Sequence, residues 1–485
     1  GSLAMLAQVG LRDQLALQYT RAMAELTREM TGMGASMAND PWPAEMKMFE
    51  PYLTGILWFK EAPTLSVLAD AFEKHVFSCC HRFNSCIEGS KWVRRHDTMD
   101  REFHFLEEKV ESETAVEEMA MRIQLTSLPR DHPRWRFFRV CTPPPMKSGI
   151  IFHCHHALGD GLGMLFTLSP MMGVEGGNPL ATVPLPNAVL PPFARKVQSE
   201  RSTRQRSGGC FSFVCSAVRN TRLFLQGALV MALTGYDTEL TINEPLAKRK
   251  PRLAFSGARQ LTRFPPVPLA LIKKARETHN CSLNDVVMAA VTGALRRYAL
   301  EVGKDEKLQR GDRVEFKSMV MLAMPRECSA SNPSIGLRNN VLFSSVALPL
   351  SEPSRSRRMK DTAEALTGLK SVAYVTGLRW FTQLATKVFP RSLLTKVAGE
   401  NWSKHTLLVT NIPCTSVPLT FPAEGNGQVM QELSIVIANV MSQISVISYN
   451  GFLYTTLVAD PNLIKEASKL GEFWLSEIKN LAEDL

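Results

Sequence analysis

The stretch Phe152-His153-Cys154-His155-His156-Ala157-Leu158-Gly159-Asp160-Gly161 decides how this chain reads. It closes an apolar run, Gly149 to His156, that reads as a strand running into a glycine-bearing turn. Side chains alternate across a strand, so Phe152, Cys154 and His156 share one face while His153 and His155 share the other. His156, at the strand end, is placed to project into a cleft. Asp160, beyond the turn, is placed to anchor that turn or brace an imidazole. A neutral imidazole is the natural general base near neutral pH, able to take a proton from an alcohol as its oxygen attacks an activated carbonyl. Two other readings stay open. A zinc site would need a third ligand, and no H-E-x-x-H occurs; the histidines could also be satisfied structural groups. Gly159 to Gly163 lacks the spacing of a dinucleotide-binding loop.

The rest of the chain bounds the answer. With 485 residues, 45% hydrophobic and 21% charged, it is long enough for two or more domains and excludes wholesale disorder, collagen-like and disulfide-scaffold classes. The formal net charge of +10 favours an anionic partner: nucleic acid, a lipid surface or a phosphate-bearing molecule. No nucleic-acid-binding motif or aromatic-basic interleaving accompanies the charge, so nucleic acid is not expected. Ten cysteines without C-x-x-C read as reduced thiols in a reducing compartment. No run reaches the roughly 18 apolar residues of a spanning helix; Leu223 to Thr234 comes nearest. The leading Gly1-Ser2 reads as a cloning remnant, so a native N-terminal segment is expected to have been trimmed.

Four segments are expected. Residues 1–36 hold an amphipathic helix over Leu11 to Met30, packed on the body or lying on lipid. Residues 37–190 form a first lobe, with strands at Leu53 to Lys60, Trp92 to His96 and Glu102 to Leu106. The acid-rich Glu107 to Glu118 reads as a solvated helix face. Residues 191–250 form a proline-bearing, basic connection that includes Arg195 to Arg206 and a short apolar helix. Residues 251–485 form a second lobe: a helix over Ser282 to Leu300, strands over Val314 to Met324, Val341 to Leu348, Thr406 to Thr410, Ser434 to Ile447 and Phe452 to Ala459, and a closing helix over Leu463 to Leu481. That order predicts two mixed α/β lobes with a long linker.

His155-His156-x-x-x-Asp160-Gly161 resembles the H-H-x-x-x-D-G motif of CoA-dependent acyltransferases with the chloramphenicol-acetyltransferase-like fold. Asn284-Asp285-Val286-Val287, with Gly293 to Tyr298 after it, is similar to the N-D helix of the bacterial-type wax ester synthase/diacylglycerol acyltransferase family. Thr410-Asn411-Ile412-Pro413 resembles that family's S-N-V-P turn, and Ser448-Tyr449-Asn450-Gly451 its S-Y-N-G hairpin. Together these segments cover roughly residues 40 to 480. Where the family shows P-L-W, this chain has Pro133-Arg134-Trp135, and Cys414-Thr415 stands where glycine-proline follows the S-N-V-P turn. The D-F-G-W-G segment of the plant branch of the superfamily is absent.

The resemblance implies an active-site tunnel between two lobes, with acyl-CoA as a substrate and no cofactor or metal. The acceptor would be a long-chain alcohol or diacylglycerol. His156 would be the general base beside His155, and Asp160 would hold the turn by pairing with Arg326. Gly161 and Asp285 would be structural at the site, and Pro133 and Trp135 would border the substrate pocket. Asn284 is an oxyanion candidate: Ser282 and Asp285 fit a capping box, which puts Asn284 in the first helical turn, where free N–H groups favour negative charge. It could equally tie the helix start to a strand. Gln443 and Ser445 are weaker oxyanion candidates. Greasy substrates, with the basic run beside Phe211 to Leu233, imply peripheral contact with a membrane or lipid droplet at its cytoplasmic face. The oligomeric state stays open. Two other functions remain: a non-catalytic lipid- or acyl-CoA-binding protein of the same fold, and a condensation-type acyltransferase using another acceptor.

Overall fold

The computed structural model describes residues 27–30, 35, 37–38, 49–94, 98–174, 210–243, 256–324, 326 and 336–483. The chain opens with β1 (Thr27–Glu29), β2 (Tyr52–Phe59), α1 (Leu65–Phe72), β3 (Ser85–Glu88), β4 (Lys91–Arg94), β5 (Phe105–Lys109), α2 (Glu113–Gln124), β6 (Trp135–Cys141), β7 (Ser148–His155), α3 (Gly161–Leu168) and β8 (Gly173–Val174). Then come α4 (Cys210–Leu233), β9 (Gln260–Arg263), β10 (Val267–Pro268), α5 (Leu269–Thr278), α6 (Leu283–Glu301), β11 (Lys317–Ala323) and β12 (Val341–Ala347). The chain closes with α7 (Arg355–Ala365), α8 (Val372–Val388), α9 (Arg391–Ser403), β13 (Leu407–Pro413), β14 (Leu419–Phe421), β15 (Gln428–Val436), β16 (Ser442–Tyr449), β17 (Phe452–Ala459) and α10 (Ala467–Glu483).

These elements build the expected mixed α/β architecture. The first large sheet runs β5-β6-β7-β2-β15-β14-β8, and the second runs β10-β17-β16-β13-β11-β12 with β9 on β17. β5 pairs parallel with β6; β11, β13 and β16 are mutually parallel. β7 is buried along its whole length, which explains its continuous apolar run. α6 starts at a complete capping box between Ser282 and Asp285 and packs beneath the second sheet against α10.

The structure corrects several expectations. Residues 251–485 are not one lobe: β14 and β15 cross back and complete the first sheet, β15 pairing with β2 from Thr54 to Phe59. The single strand read over Ser434 to Ile447 is therefore two strands in different sheets, with the crossing at residues 437–441. The apolar residues Ile437, Ala438, Val440 and Met441 run on through the connection, which hides the crossing. Glu102 to Leu106 begins as a helical turn, with β5 starting only at Phe105. The acid-rich stretch is a solvated face only in part: Glu107, Glu108, Glu111 and Glu118 are exposed, the first two on β5, but Glu113 and Glu117 are not. Arg263 of β9 takes Glu113 at 3.0 Å, Glu117 at 2.5 Å and Glu432 at 3.0 Å, and its guanidinium lies 4.2 Å from the Trp58 ring, so these acids tie the two lobes together.

The apolar helix after the linker is longer than read, covering Cys210–Leu233. Of the N-terminal helix expected over Leu11 to Met30, residues 11–26 lie outside the described residues, and Thr27–Glu29 is a strand paired with β4. The basic run Arg195 to Arg206 also lies outside them. Helices α7, α8 and α9 occupy a region for which the sequence reading proposed no elements. No helix among the described residues is long and apolar enough to cross a membrane.

Candidate active site

A cavity opens where β7 ends. On the first-lobe side its wall is one face of the sheet: Leu53, Gly55 and Leu57 of β2, Phe152 and Cys154 of β7, and Leu433 and Ile435 of β15. Cross-strand register explains the grouping, since Gly55 opposes both Phe152 and Ile435. α3 covers it with Leu162, Met164, Leu165 and Leu168, while Met321, Ala323, Val341, Thr410 and Ile412 close it from the second lobe. The walls are overwhelmingly apolar, so the space suits an aliphatic chain. From His156 back to Phe152 the strand rises roughly 13 Å, the depth along which such a chain could lie. Gly55 leaves room there: a Cβ added to it would meet only the Ser434 carbonyl oxygen, at 3.8 Å.

His156 is the histidine that faces this cavity. Its Nδ1 lies 2.9 Å from Oδ1 of Asn339, and Nδ2 of the same amide donates to the His156 carbonyl oxygen at 2.7 Å. A carbonyl can only accept, so the NH2 end of Asn339 must face it and the amide oxygen must face the ring. That oxygen also only accepts, so Nδ1 carries the proton of the neutral imidazole. Nε2 keeps its lone pair and has no hydrogen-bond partner among the described residues. Burial holds the His156 pKa below its ordinary 6.5, against the opposing pull of Asp160 and the Asn339 bond, so the ring is neutral at pH 7. Asn339 is the site residue that sequence reading missed. It lies 183 residues from His156 in a short polar stretch, and only the fold brings the two together.

Asp160 holds the turn. Arg326 donates to both its carboxylate oxygens at 2.7 Å, the paired geometry of a guanidinium on a carboxylate. Asp160 also caps α3 by accepting from the Gly163 N–H at 2.8 Å, and accepts from the Asn340 N–H at 2.8 Å. Asp160 and Arg326 are both buried. The segment that carries Asn339 is thereby fixed to the segment that carries His156. Gly161 lines the cavity, and a Cβ on it would come within 2.9 Å of Ile412.

His155 does not reach the cavity. It lies on the opposite face, buried, accepting from the Ala157 N–H at 3.2 Å and set edge-on to Tyr52. Its neighbour His153 bonds Thr54 at 2.8 Å and stacks on Tyr52, with burial lowering its pKa to about 3. Both are therefore structural, and His155 is withdrawn from the catalytic set. Pro133 and Trp135 do not border the cavity either. Trp135 is fully buried among Phe72, Phe83 and Phe137, and Arg134 points away to Glu50 and the Tyr52 hydroxyl at 2.6 Å. β6 lies one strand beyond β7, which removes this segment from the cavity wall.

Asn284 is exposed in the first turn of α6, and its amide oxygen accepts from Asn411 at 3.3 Å; Asn411 is the one that lines the cavity. Asp285 takes no part at the cavity, since its carboxylate is shared between the cap and Lys370 at 2.6 Å. Gln443 and Ser445 are buried and bonded to each other at 3.2 Å, and Gln443 also accepts from Asn439; neither lines the cavity. The polar side chain that does face it with no partner among the described residues is Thr410.

Residues 338–482 match the WS/DGAT C-terminal domain. Wax ester synthase/diacylglycerol acyltransferase 9 of Arabidopsis thaliana is 23% identical over 461 residues, 86% of this chain and 88% of that protein. The chain is thus similar to WS/DGAT proteins, over its C-terminal segment by the family model and over most of its length by the Arabidopsis relative. The fold agrees. The wax ester synthase/diacylglycerol acyltransferase of Marinobacter aquaeolei VT8 superposes with a TM-score of 0.57 at 16% identity, covering 94% of this chain and all (100%) of the other. The first condensation domain of the calcium-dependent antibiotic synthetase gives 0.58 at 14% identity over 94% of this chain and 96% of its own. Asn339, Thr410, Asn411 and the closing S-Y-N-G hairpin all fall within the WS/DGAT-matched segment, whereas His156 and Asp160 precede it.

Proposed function

We propose that this protein transfers a fatty acyl group from acyl-CoA to a long-chain alcohol or diacylglycerol, with His156 as general base. The observation that carries this reading is the His156 Nε2 lone pair, fixed by Asn339 and aimed into an apolar cavity. The acceptor hydroxyl gives its proton to Nε2 as its oxygen attacks the thioester carbonyl. The tetrahedral intermediate collapses, the C–S bond breaks, and the imidazolium returns the proton to the departing CoA thiolate. The ring ends neutral, so no covalent enzyme intermediate and no cofactor are required. The Thr410 hydroxyl is the donor offered to the developing oxyanion. Apolar walls hold the chain and keep out competing water. Since both lipid substrates reside in lipid phases, the same reading puts the protein at a membrane or lipid-droplet surface.

The test is CoA release from palmitoyl-CoA by purified protein offered hexadecanol and dioleoylglycerol in parallel, with products separated. Wax ester, triacylglycerol or both are expected, and His156→Ala should lower the rate by about 10²–10⁴ while keeping the melting temperature. Silence from a folded protein that binds acyl-CoA would favour the non-catalytic binding reading. Ester formed by His156→Ala at the wild-type rate would remove the general-base assignment.

A further inference from the structure

Away from the cavity, three helices expose apolar side chains in register. On α4, Leu225, Leu229 and Leu233 stand four apart and are 52%, 40% and 75% exposed. On α8, Trp380, Leu384 and Val388 repeat that spacing, followed by exposed Phe389. On α9, Leu393 and Val397 do the same. Side chains four apart share a helix face, so each helix presents a stripe. Isolated exposed apolar residues are ordinary, but contiguous ones on adjoining helices mark an interaction surface.

α4 and α8 are packed directly on each other, and the end of α9 meets α4 through Trp402 and Met231. α4 and α8 cross where Gly227 faces Gly377; a Cβ on Gly227 would fall 2.0 Å from the Tyr374 carbonyl oxygen, and one on Gly377 equally close to that of Phe224, at 2.0 Å. The Phe224 and Trp380 rings lie 5.9 Å apart beside this crossing.

The charge on these helices is one-sided. α4 and α8 contain no acidic residue and α9 contains only Glu400. Arg219, Arg222, Arg379, Lys387 and Lys396 form no ion pair with any described residue. By contrast Arg134, Arg263, Arg326 and Arg358 in the body of the molecule are all engaged. Unpaired cations beside exposed apolar stripes match an anionic lipid surface: headgroups meet the cations and the acyl boundary takes the stripes.

The ridge also packs toward the cavity wall. Met231 of α4 and Trp402 of α9 join Met319, Phe343 and Met321 in one apolar cluster, with the Trp402 and Phe343 rings 5.3 Å apart. Met321 is itself part of the cavity wall. The exposed helices and the cavity wall thus share one packed apolar cluster.

We propose that the α4–α8–α9 face docks on an anionic lipid bilayer, which sets the Met321 side of the cavity wall toward the lipid. The docking stands on geometry and charge alone; that the lipid supplies the acyl acceptor rests on the acyltransferase reading.

The experiment uses the full chain and sedimentation with vesicles of phosphatidylcholine, alone or mixed with phosphatidylglycerol. The wild type should bind the mixed vesicles far better than the neutral ones and be released by salt. The triple variant Leu225→Glu/Leu229→Glu/Leu384→Glu, all at exposed helical positions, should lose binding by about tenfold or more. Arg222→Glu/Lys387→Glu/Lys396→Glu should lose about 100-fold. Both should keep the wild-type melting temperature. Wild-type binding by either folded variant overturns the proposal, as does equal binding to neutral vesicles. A wild type that is dimeric in solution, with the leucine variant monomeric and vesicle binding unchanged, would make the face a contact between two copies and overturn it as well. Vesicle binding needs no turnover, so a protein that docks but forms no ester would sink the acyltransferase reading and leave the docking standing. Ester formed on soluble substrates by a protein that does not dock would do the reverse.

Discussion

Asn339→Ala isolates the device that fixes the tautomer of His156, the proposed base. The substitution removes two hydrogen bonds, the 2.9 Å bond from ring Nδ1–H and the 2.7 Å bond to the His156 carbonyl. The first loss frees the ring to rotate or to move its proton to Nε2, and it leaves a donor without its acceptor. That costs about 1–3 kcal/mol. The cost falls on the reacting arrangement and not on substrate binding, so it should appear in kcat as roughly a 5- to 150-fold loss, with KM little changed. The second loss should lower the melting temperature slightly, since it removes one net hydrogen bond worth about 1 kcal/mol.

The pH profile adds an independent sign. With His156 as the proposed base, activity requires the neutral ring, so the rate should climb as pH rises through the His156 pKa and level above it. The Asn339 bond pulls that pKa upward against burial. Removing it should shift the acid limb to lower pH even as the plateau falls, whereas a merely structural residue would leave the limb in place. The assay is steady-state CoA release across pH, at saturating acyl-CoA and hexadecanol. A kcat within about twofold of wild type, or an acid limb that moves upward, would refute the reasoning.

Other outcomes follow from the same geometry. Asp160→Ala strands the buried Arg326 guanidinium, so about 3–5 kcal/mol of stability should go, read as a lower melting temperature and denaturation midpoint; a clean catalytic loss at the wild-type melting temperature would contradict its structural role. Gly55→Leu should fill the open space beside Phe152 and shift the acyl-CoA preference toward shorter chains, measured as kcat/KM across a chain-length series; an unchanged profile would place the chain elsewhere. Thr410→Val keeps the shape of the wall but removes its donor, and should lower kcat by about 10²–10³ with KM unchanged if the hydroxyl meets the oxyanion; an unaltered kcat would dismiss it.

Much of this was legible in local pattern. Alternation along Phe152 to His156 separates the cavity-facing histidine from its two neighbours, because the period of a strand admits no other arrangement. Asp160 needs a buried cation by simple electrostatics, and the structure places Arg326 there. What escaped reading depends on chain crossings. Asn339 meets His156 only because Arg326 and Asn340 both clamp Asp160. Glu113 and Glu117 look like surface acids until β9 delivers Arg263 between them. Trp135 is one strand removed from the cavity, and no one-dimensional pattern reports which strand is its neighbour. α8 and α9 lacked the buried periodicity that advertises a helix, because their outer faces are apolar too.

The return of β15 to the first sheet has a consequence for how the molecule is made. β2 and β7 leave the ribosome early, but the third strand of the cavity wall, carrying Leu433 and Ile435, emerges only after residue 428. Until then β2 has an unpaired edge and the hollow in front of His156 lacks a side. A fragment ending before β15 would therefore offer a sticky strand and no chain-binding space. The two halves of this protein cannot be separated by proteolysis, or expressed apart, with the apolar cavity intact in either.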